Sequence, residues 1–126
     1  MVEVVAALIE KDEKIMICQR PRNKKRALCW EFVGGKVEAG ESKRDALIRE
    51  CREELAIEVL PLEEYCTVEY SYPDIDIRLT VFRTEIVSGT PRALEHEDIR
   101  WICRGEMSQY SFCPADRDIV AKLMSE

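Results

Sequence analysis

At 126 residues the chain has room for one domain with its own core, and residues 1–126 are read as that single domain. A content of 46% hydrophobic and 35% charged residues is ordinary for a soluble globular protein. The formal charge of −6 argues against a nucleic-acid polymer as partner, but not against a single nucleotide escorted by cations that invert the local field.

In chain order, Val2 to Glu10 and Lys14 to Gln19 are rich in β-formers and are joined by Lys11-Asp12-Glu13, which predicts a hairpin. Both runs are almost uniformly apolar, as strands covered on both faces are. Val4 to Ile9 is too short to span a membrane and lacks the basic flank of a secretory signal, so no membrane partner is expected. The six cysteines are scattered without a C-x-x-C pair, several in apolar runs such as Ile15-Met16-Ile17-Cys18, and read as reduced thiols of a cytoplasmic protein.

Five of the seven residues from Arg20 to Arg26 are cationic, a pattern that serves a solvated loop or an anion site equally. Arg20, at the end of a strand, is placed firmly enough to grip a phosphate oxygen. Trp30-Glu31-Phe32-Val33 predicts a short strand leading into Gly34-Gly35, with Trp30 and Phe32 divided between core packing and stacking on a base. A polar turn follows, then a helix: Ser42 is a good N-cap, with Asp45 approximating a capping box. Leu47, Ile48, Cys51 and Leu55 fall on its apolar stripe. Glu50, Glu53 and Glu54 share another face, where like charges cost about a few tenths of a kcal/mol per pair. Solvated acidic faces are common, but a helix shaped for stability alone would interleave lysines there. All-oxygen ligands of this kind suit Mg²⁺ or Mn²⁺.

Glu58 to Tyr72 and Asp76 to Val87 predict two long strands around the turn Tyr72-Pro73-Asp74-Ile75, ended by Gly89-Thr90-Pro91. The acidic loop Leu94-Glu95-His96-Glu97-Asp98 precedes a last strand, Ile99 to Cys103, and His96 reads as a solvated loop residue rather than a ligand. Pro114-Ala115-Asp116 opens a final helix running to about Met124, with Pro at the first helical position.

Gly35, five residues, Glu41, seven residues, Arg49-Glu50, then Arg52-Glu53-Glu54-Leu55 and Ile57 form a 23-position pattern that resembles the Nudix box. Nudix proteins hydrolyse nucleoside diphosphates linked to another moiety. Val4-Val5-Ala6-Ala7, the Trp-Glu-Phe-x-Gly-Gly-Lys-Val-Glu run, Glu95-His96-Glu97 and Pro114-Ala115-Asp116 resemble the MutT-like branch of CTP pyrophosphohydrolases and 8-oxo-dGTP diphosphatases. The resemblance implies an α+β fold, an α/β/α sandwich with a central mixed sheet. It also implies release of nucleoside monophosphate and pyrophosphate from a nucleoside triphosphate, with Mg²⁺ as cofactor and Mn²⁺ as its substitute.

Carried over position by position, the resemblance makes Glu50, Glu53, Glu54, Glu95 and the Gly34 carbonyl metal ligands, with Glu97 able to replace Glu95. Glu50 or Glu95 would position or deprotonate the attacking water. Arg20 would contact a phosphate, while Phe32 and Asp116 would face the base. Gly35, Glu41 and Arg49 would be structural members of the motif. The partner is a small nucleotide, and the chain is a monomer or homodimer. Two positions depart from the pattern: Cys51 replaces an aliphatic residue, and Ala56 replaces a glycine that would favour a left-handed helix end. Pro73 lies 16 residues after Ile57, as in ADP-ribose pyrophosphatases, which keeps ADP-ribose or a dinucleoside polyphosphate as rival substrates. A non-catalytic Nudix-fold module is the remaining rival, although such modules lose the box glutamates.

Overall fold

Both helical layers pack on β1 (Val2–Lys11) because its side chains alternate between two apolar cores. The computed structural model describes residues 1–126. Val5, Ala7 and Ile9 face α1 (Lys43–Leu55), whereas Ala6 and Leu8 face the layer containing α2 (Arg117–Met124). Between them lies a mixed sheet whose main path runs β3-β2-β1-β6-β5. Its strands are β2 (Lys14–Gln19), β3 (Trp30–Glu31), β5 (Glu58–Ser71) and β6 (Asp76–Ser88), with β4 (Gly34–Lys36) on β1 and β7 (Asp98–Ile102) on β2. Only β1 and β6 run parallel; the remaining pairs are antiparallel. The expected α/β/α sandwich is therefore present. No helix is long and apolar enough to cross a membrane.

The expected first hairpin is brief. Asp12 and Glu13 take left-handed φ values of 52° and 65°, as a two-residue primed turn requires. Beyond Glu10↔Ile15 the strands part, β1 turning to β4 and β6 while β2 turns to β3 and β7. The divergence opens the space that becomes the cleft. The glycine pair belongs to strand β4, with Gly34 opposite Ala6 and Gly35 opposite Val5. A side chain on Gly34 would run into the Val5 carbonyl, so close strand contact demands the bare backbone. Phe32 and Val33 interrupt the predicted strand, and the final helix begins as a 3-10 turn over Pro114–Asp116. Pro73 sits in a turn closed at both ends by Tyr72–Ile75 backbone bonds of 2.8 and 3.3 Å, which accounts for it without reference to substrate.

The box helix forms where its local signals put it. The Ser42 side chain accepts from the Asp45 amide at 3.1 Å, and Ala46, Leu47, Cys51 and Leu55 are buried. Leu47 and Leu55 each contribute about 1.5–3 kcal/mol by full burial. The helix stops at Ala56, which adopts the left-handed conformation (φ 57°, ψ 38°) while its amide donates to the Arg52 carbonyl at 3.1 Å. Alanine carries a steric cost in this region that glycine avoids. Ala56→Gly is expected to raise stability by about 1 kcal/mol, read as a higher urea midpoint at unchanged m; an unchanged or lower midpoint would show that the cap is unstrained.

Candidate active site

The box loop is fixed to its helix by a single guanidinium. Arg49 donates to both Glu41 oxygens at 2.8 and 3.0 Å, to Glu50 at 2.9 Å, to Glu53 at 3.2 Å and to the Lys36 carbonyl at 3.1 Å. Glu41 also accepts from the Glu38 amide at 3.0 Å, tightening the turn before Ser42. The Glu50 carboxylate consequently lies over Gly35, where a Cβ would stand 2.5 Å from its carboxyl carbon. Gly35 thus makes room for a side chain, whereas Gly34 makes room for a strand.

The three box glutamates occupy different environments. Glu53 is exposed and held by Arg49. Glu50 is largely buried, and burial raises its carboxyl while Arg49 pulls it back down. Glu54 is deeper still: burial, then Glu50, Glu31 and Glu95, push its carboxyl up to about 9, against the opposing charge of Lys24. Its Oε2 is buried without a hydrogen-bond partner. No three acidic, histidine or cysteine side chains converge on one point, so Glu50, Glu53 and Glu54 are neighbours on a surface rather than a closed cage. An orphaned carboxylate oxygen among other carboxylates is nevertheless what a hard divalent cation would complete, and the donors are all oxygen.

Glu50, Glu54, Gly34 and Gly35 line one end of a cleft of about 580 Å³. Arg20, Phe32 and Asp116 line the same cleft, so the sequence-selected residues are brought together apart from Glu53, Glu95, Glu41 and Arg49, which lie outside its lining. Arg20 is held by the Lys25 carbonyl at 2.9 Å and by Glu31 at 3.2 Å. Phe32 stacks on Phe112 with centroids 5.9 Å apart. Asp116 is buried, which pushes its carboxyl well above the usual range; Glu31 adds to the rise and the Phe32 amide opposes it. Across the cleft the basic loop is latched to the β5–β6 turn, where Arg26 bonds Asp74 at 3.0 Å and lies 4.0 Å over the Tyr72 ring.

Glu95 is exposed, but its loop is bound to the end of α1, with the Leu94 amide donating to the Glu54 carbonyl at 3.2 Å. Glu97 instead pairs with Arg22 at 2.9 Å. His96 is a correction: its side chain is only 3% exposed and its Nε2 lies 3.1 Å from Glu31 Oε2. A glutamate that no local pattern singles out joins the two ends of the cleft, since Glu31 acts on both Glu54 and Asp116. The available signal was a lone charge inside the aromatic run Trp30-Glu31-Phe32.

A model of the NUDIX domain matches residues 4–122. The chain is 42% identical over 125 residues to the CTP pyrophosphohydrolase of Escherichia coli K12, covering 99% of this chain and 93% of that protein. It is 37% identical over 124 residues to the putative 8-oxo-dGTP diphosphatase 2 of Mycobacterium tuberculosis H37Rv, covering 95% and 86%. The solution structure of the E. coli ORF135 protein aligns with a TM-score of 0.85 at 41% identity, covering 99% of this chain and 89% of that one.

The Glu54 environment has a consequence for stability. Between its ordinary value of 4.5 and the folded value of about 9, the folded state keeps a proton that the unfolded chain releases. Its contribution is therefore full below pH 4.5 and is lost as pH rises through about 9. With divalent cations chelated, Glu54→Gln is expected to match the parent Tm at pH 5 and exceed it at pH 8 in thermal melts. Equal differences at the two pH values would show that Glu54 titrates normally.

Proposed function

The chain belongs to the Nudix family, and on that premise we propose that it is a divalent-cation-dependent nucleoside triphosphate pyrophosphohydrolase. The expected substrates are CTP, dCTP or oxidised deoxynucleoside triphosphates, and the products are nucleoside monophosphate and pyrophosphate. The observation that carries this reading is the unpartnered, buried Glu54 oxygen in a cleft that also presents Arg20, Lys24 and Asp116. One end crowds carboxylates around an oxygen left unpartnered, and the other presents groups suited to a phosphate and a base.

In this reading Glu50, Glu53, Glu54, Glu95 and the Gly34 carbonyl would hold Mg²⁺ or Mn²⁺. Bound there, the cation supplies counter-charge to the polyphosphate and makes water nucleophilic at neutral pH. Arg20, braced by Glu31, orients the α-phosphate. Water attacks the β-phosphorus, and the bridging oxygen departs with the nucleoside monophosphate. Glu50 or Glu95 receives the water proton. Arg49 and Glu41 keep Glu50 in register over Gly35. Phe32 flanks the base, and Asp116 meets its edge. A carboxylate accepts from the exocyclic amine of cytosine; a protonated carboxyl donates to a purine oxygen.

A panel of canonical, oxidised and methylated nucleoside triphosphates, with ADP-ribose and a dinucleoside polyphosphate beside them, tests the reading through pyrophosphate release with Mg²⁺. Preference for a single nucleoside triphosphate is expected, and turnover confined to ADP-ribose would replace it. Glu54→Ala is expected to lower kcat by about two orders of magnitude or more while the protein stays folded. Because Glu54 holds a proton near neutrality, Mn²⁺ binding at pH 7.5 should release about one proton per chain. Calorimetry in buffers of different ionisation enthalpy reads that proton, and a buffer-independent enthalpy would contradict it.

A further inference from the structure

Residues 92–97 form a loop in which one side chain is buried, and it is the imidazole of His96. The loop is sewn down on both sides. The Arg92 and Leu94 amides donate to the Leu55 and Glu54 carbonyls at 2.9 and 3.2 Å, and the Glu97 amide donates to the Gln19 carbonyl at 2.9 Å. Those bonds hold its ends; between them only His96 reaches inward, where its Nε2 meets Glu31 Oε2 at 3.1 Å. Its Nδ1 is buried without a partner. An imidazole with one nitrogen satisfied is a poor choice for stability alone, because an apolar side chain would fill the same space without stranding a polar atom. Glu31 is itself fixed, its other oxygen accepting from Arg20 at 3.2 Å.

We propose that His96 is a positioning residue: anchored on Glu31, it fixes the loop so that Glu95 faces the Glu50 and Glu54 end of the cleft. This rests on the assignment of Glu95 made under the proposed function. Glu95 follows Leu94, whose amide is bonded to Glu54, and it precedes the buried ring, so its direction is set from both sides. Its charge acts on both Glu50 and Glu54. The chain Arg20–Glu31–His96 therefore makes the phosphate-contacting arginine and the loop carboxylate share one support.

Mn²⁺ affinity of the full chain, read from the free-ion electron paramagnetic resonance signal, tests this together with steady-state pyrophosphate release. His96→Ala is expected to weaken Mn²⁺ binding about 10- to 100-fold and to lower kcat comparably. KM for the nucleotide should move less than about threefold. His96→Gln, which keeps a donor for Glu31, should recover most of both losses. The double variant with Glu95→Ala should be no worse than Glu95→Ala alone, since the two act through one contact. Should His96→Ala not fold, His96→Leu fills the pocket without the bond and reads the same quantities. Losses that multiply in the double variant, or a His96 variant with lowered Tm but parental Mn²⁺ affinity and kcat, would overturn the inference. Parental behaviour of Glu95→Ala would remove the Glu95 assignment and this inference together; an effect of Glu95→Ala with silent His96 variants would remove the inference alone.

Discussion

Arg49 is the interaction on which the site's geometry depends. One planar guanidinium is shared among Glu41, Glu50, Glu53 and the Lys36 carbonyl, so it joins β4, the box loop and α1 through a single group. A lysine ammonium offers charge but not the fork that engages both Glu41 oxygens at once. Without that fork, Glu50 and Glu53 would repel each other and Glu54 on a helix whose apolar stripe gives them no alternative orientation. The box pattern is thus a statement about charge: acidic groups are crowded to one helix face, and of these one cation at a fixed offset pairs with Glu50 and Glu53 only. Glu54, turned inward, is left outside Arg49's reach and keeps its unpartnered oxygen.

The sheet supplies the second half of the construction. β1 is apolar on both faces and can be sandwiched between helices, which leaves its margins rather than its faces free for chemistry. Where β2 diverges from β1, the two halves of the sheet open and the cleft fills the gap, with Glu50 and Glu54 on one wall and Asp116 and Phe32 on the other. The basic loop and the β5–β6 turn bridge the opening through Arg26, Asp74 and Tyr72. The cleft is therefore a consequence of register: the two-residue turn at Asp12-Glu13 starts a hairpin that the strands then abandon for other partners.

What could be read in the sequence was whatever local chemistry decides. The Ser42 cap and the buried stripe through Leu47, Cys51 and Leu55 lie within one helix and its flank, and spacing alone predicts them, whereas the structural roles of Glu41 and Arg49 and the left-handed end at Ala56 follow from the resemblance to the Nudix box. Glycine alone signals both turns and close strand contact, and at Gly34 it is Val5, some thirty residues upstream, that decides between them. His96 misled for a similar reason. Its neighbours are all charged or exposed, and the partner that buries it, Glu31, is 65 residues away in sequence. Glu31 itself looked like a strand residue with no assignment, because its importance lies in which elements it joins.

Buried polar atoms without a partner occur at Glu3 and Thr80 on the sheet, but three unfavourable placements share one region of the molecule. Glu54, Asp116 and His96 each bury a polar group that folding alone would rather pair or replace, and Glu31 borders all three through charge or direct contact. Elsewhere the fold follows ordinary preferences: β6 is buried on both faces at its centre, with Leu79 and Val81 in one core and Phe82 in the other, α1 is capped by Ser42, and Arg52 pairs with Glu58 at its end. Glu54, Asp116 and His96 nevertheless share one glutamate as neighbour. Their concentration beside a cleft is the pattern expected when a protein surrenders stability to keep charges ready for a ligand. Glu31 is the economical solution to holding them, since one carboxylate braces Arg20 with one oxygen and His96 with the other. The wall that carries Arg20 and the loop that carries Glu95 are therefore supported from the same short strand.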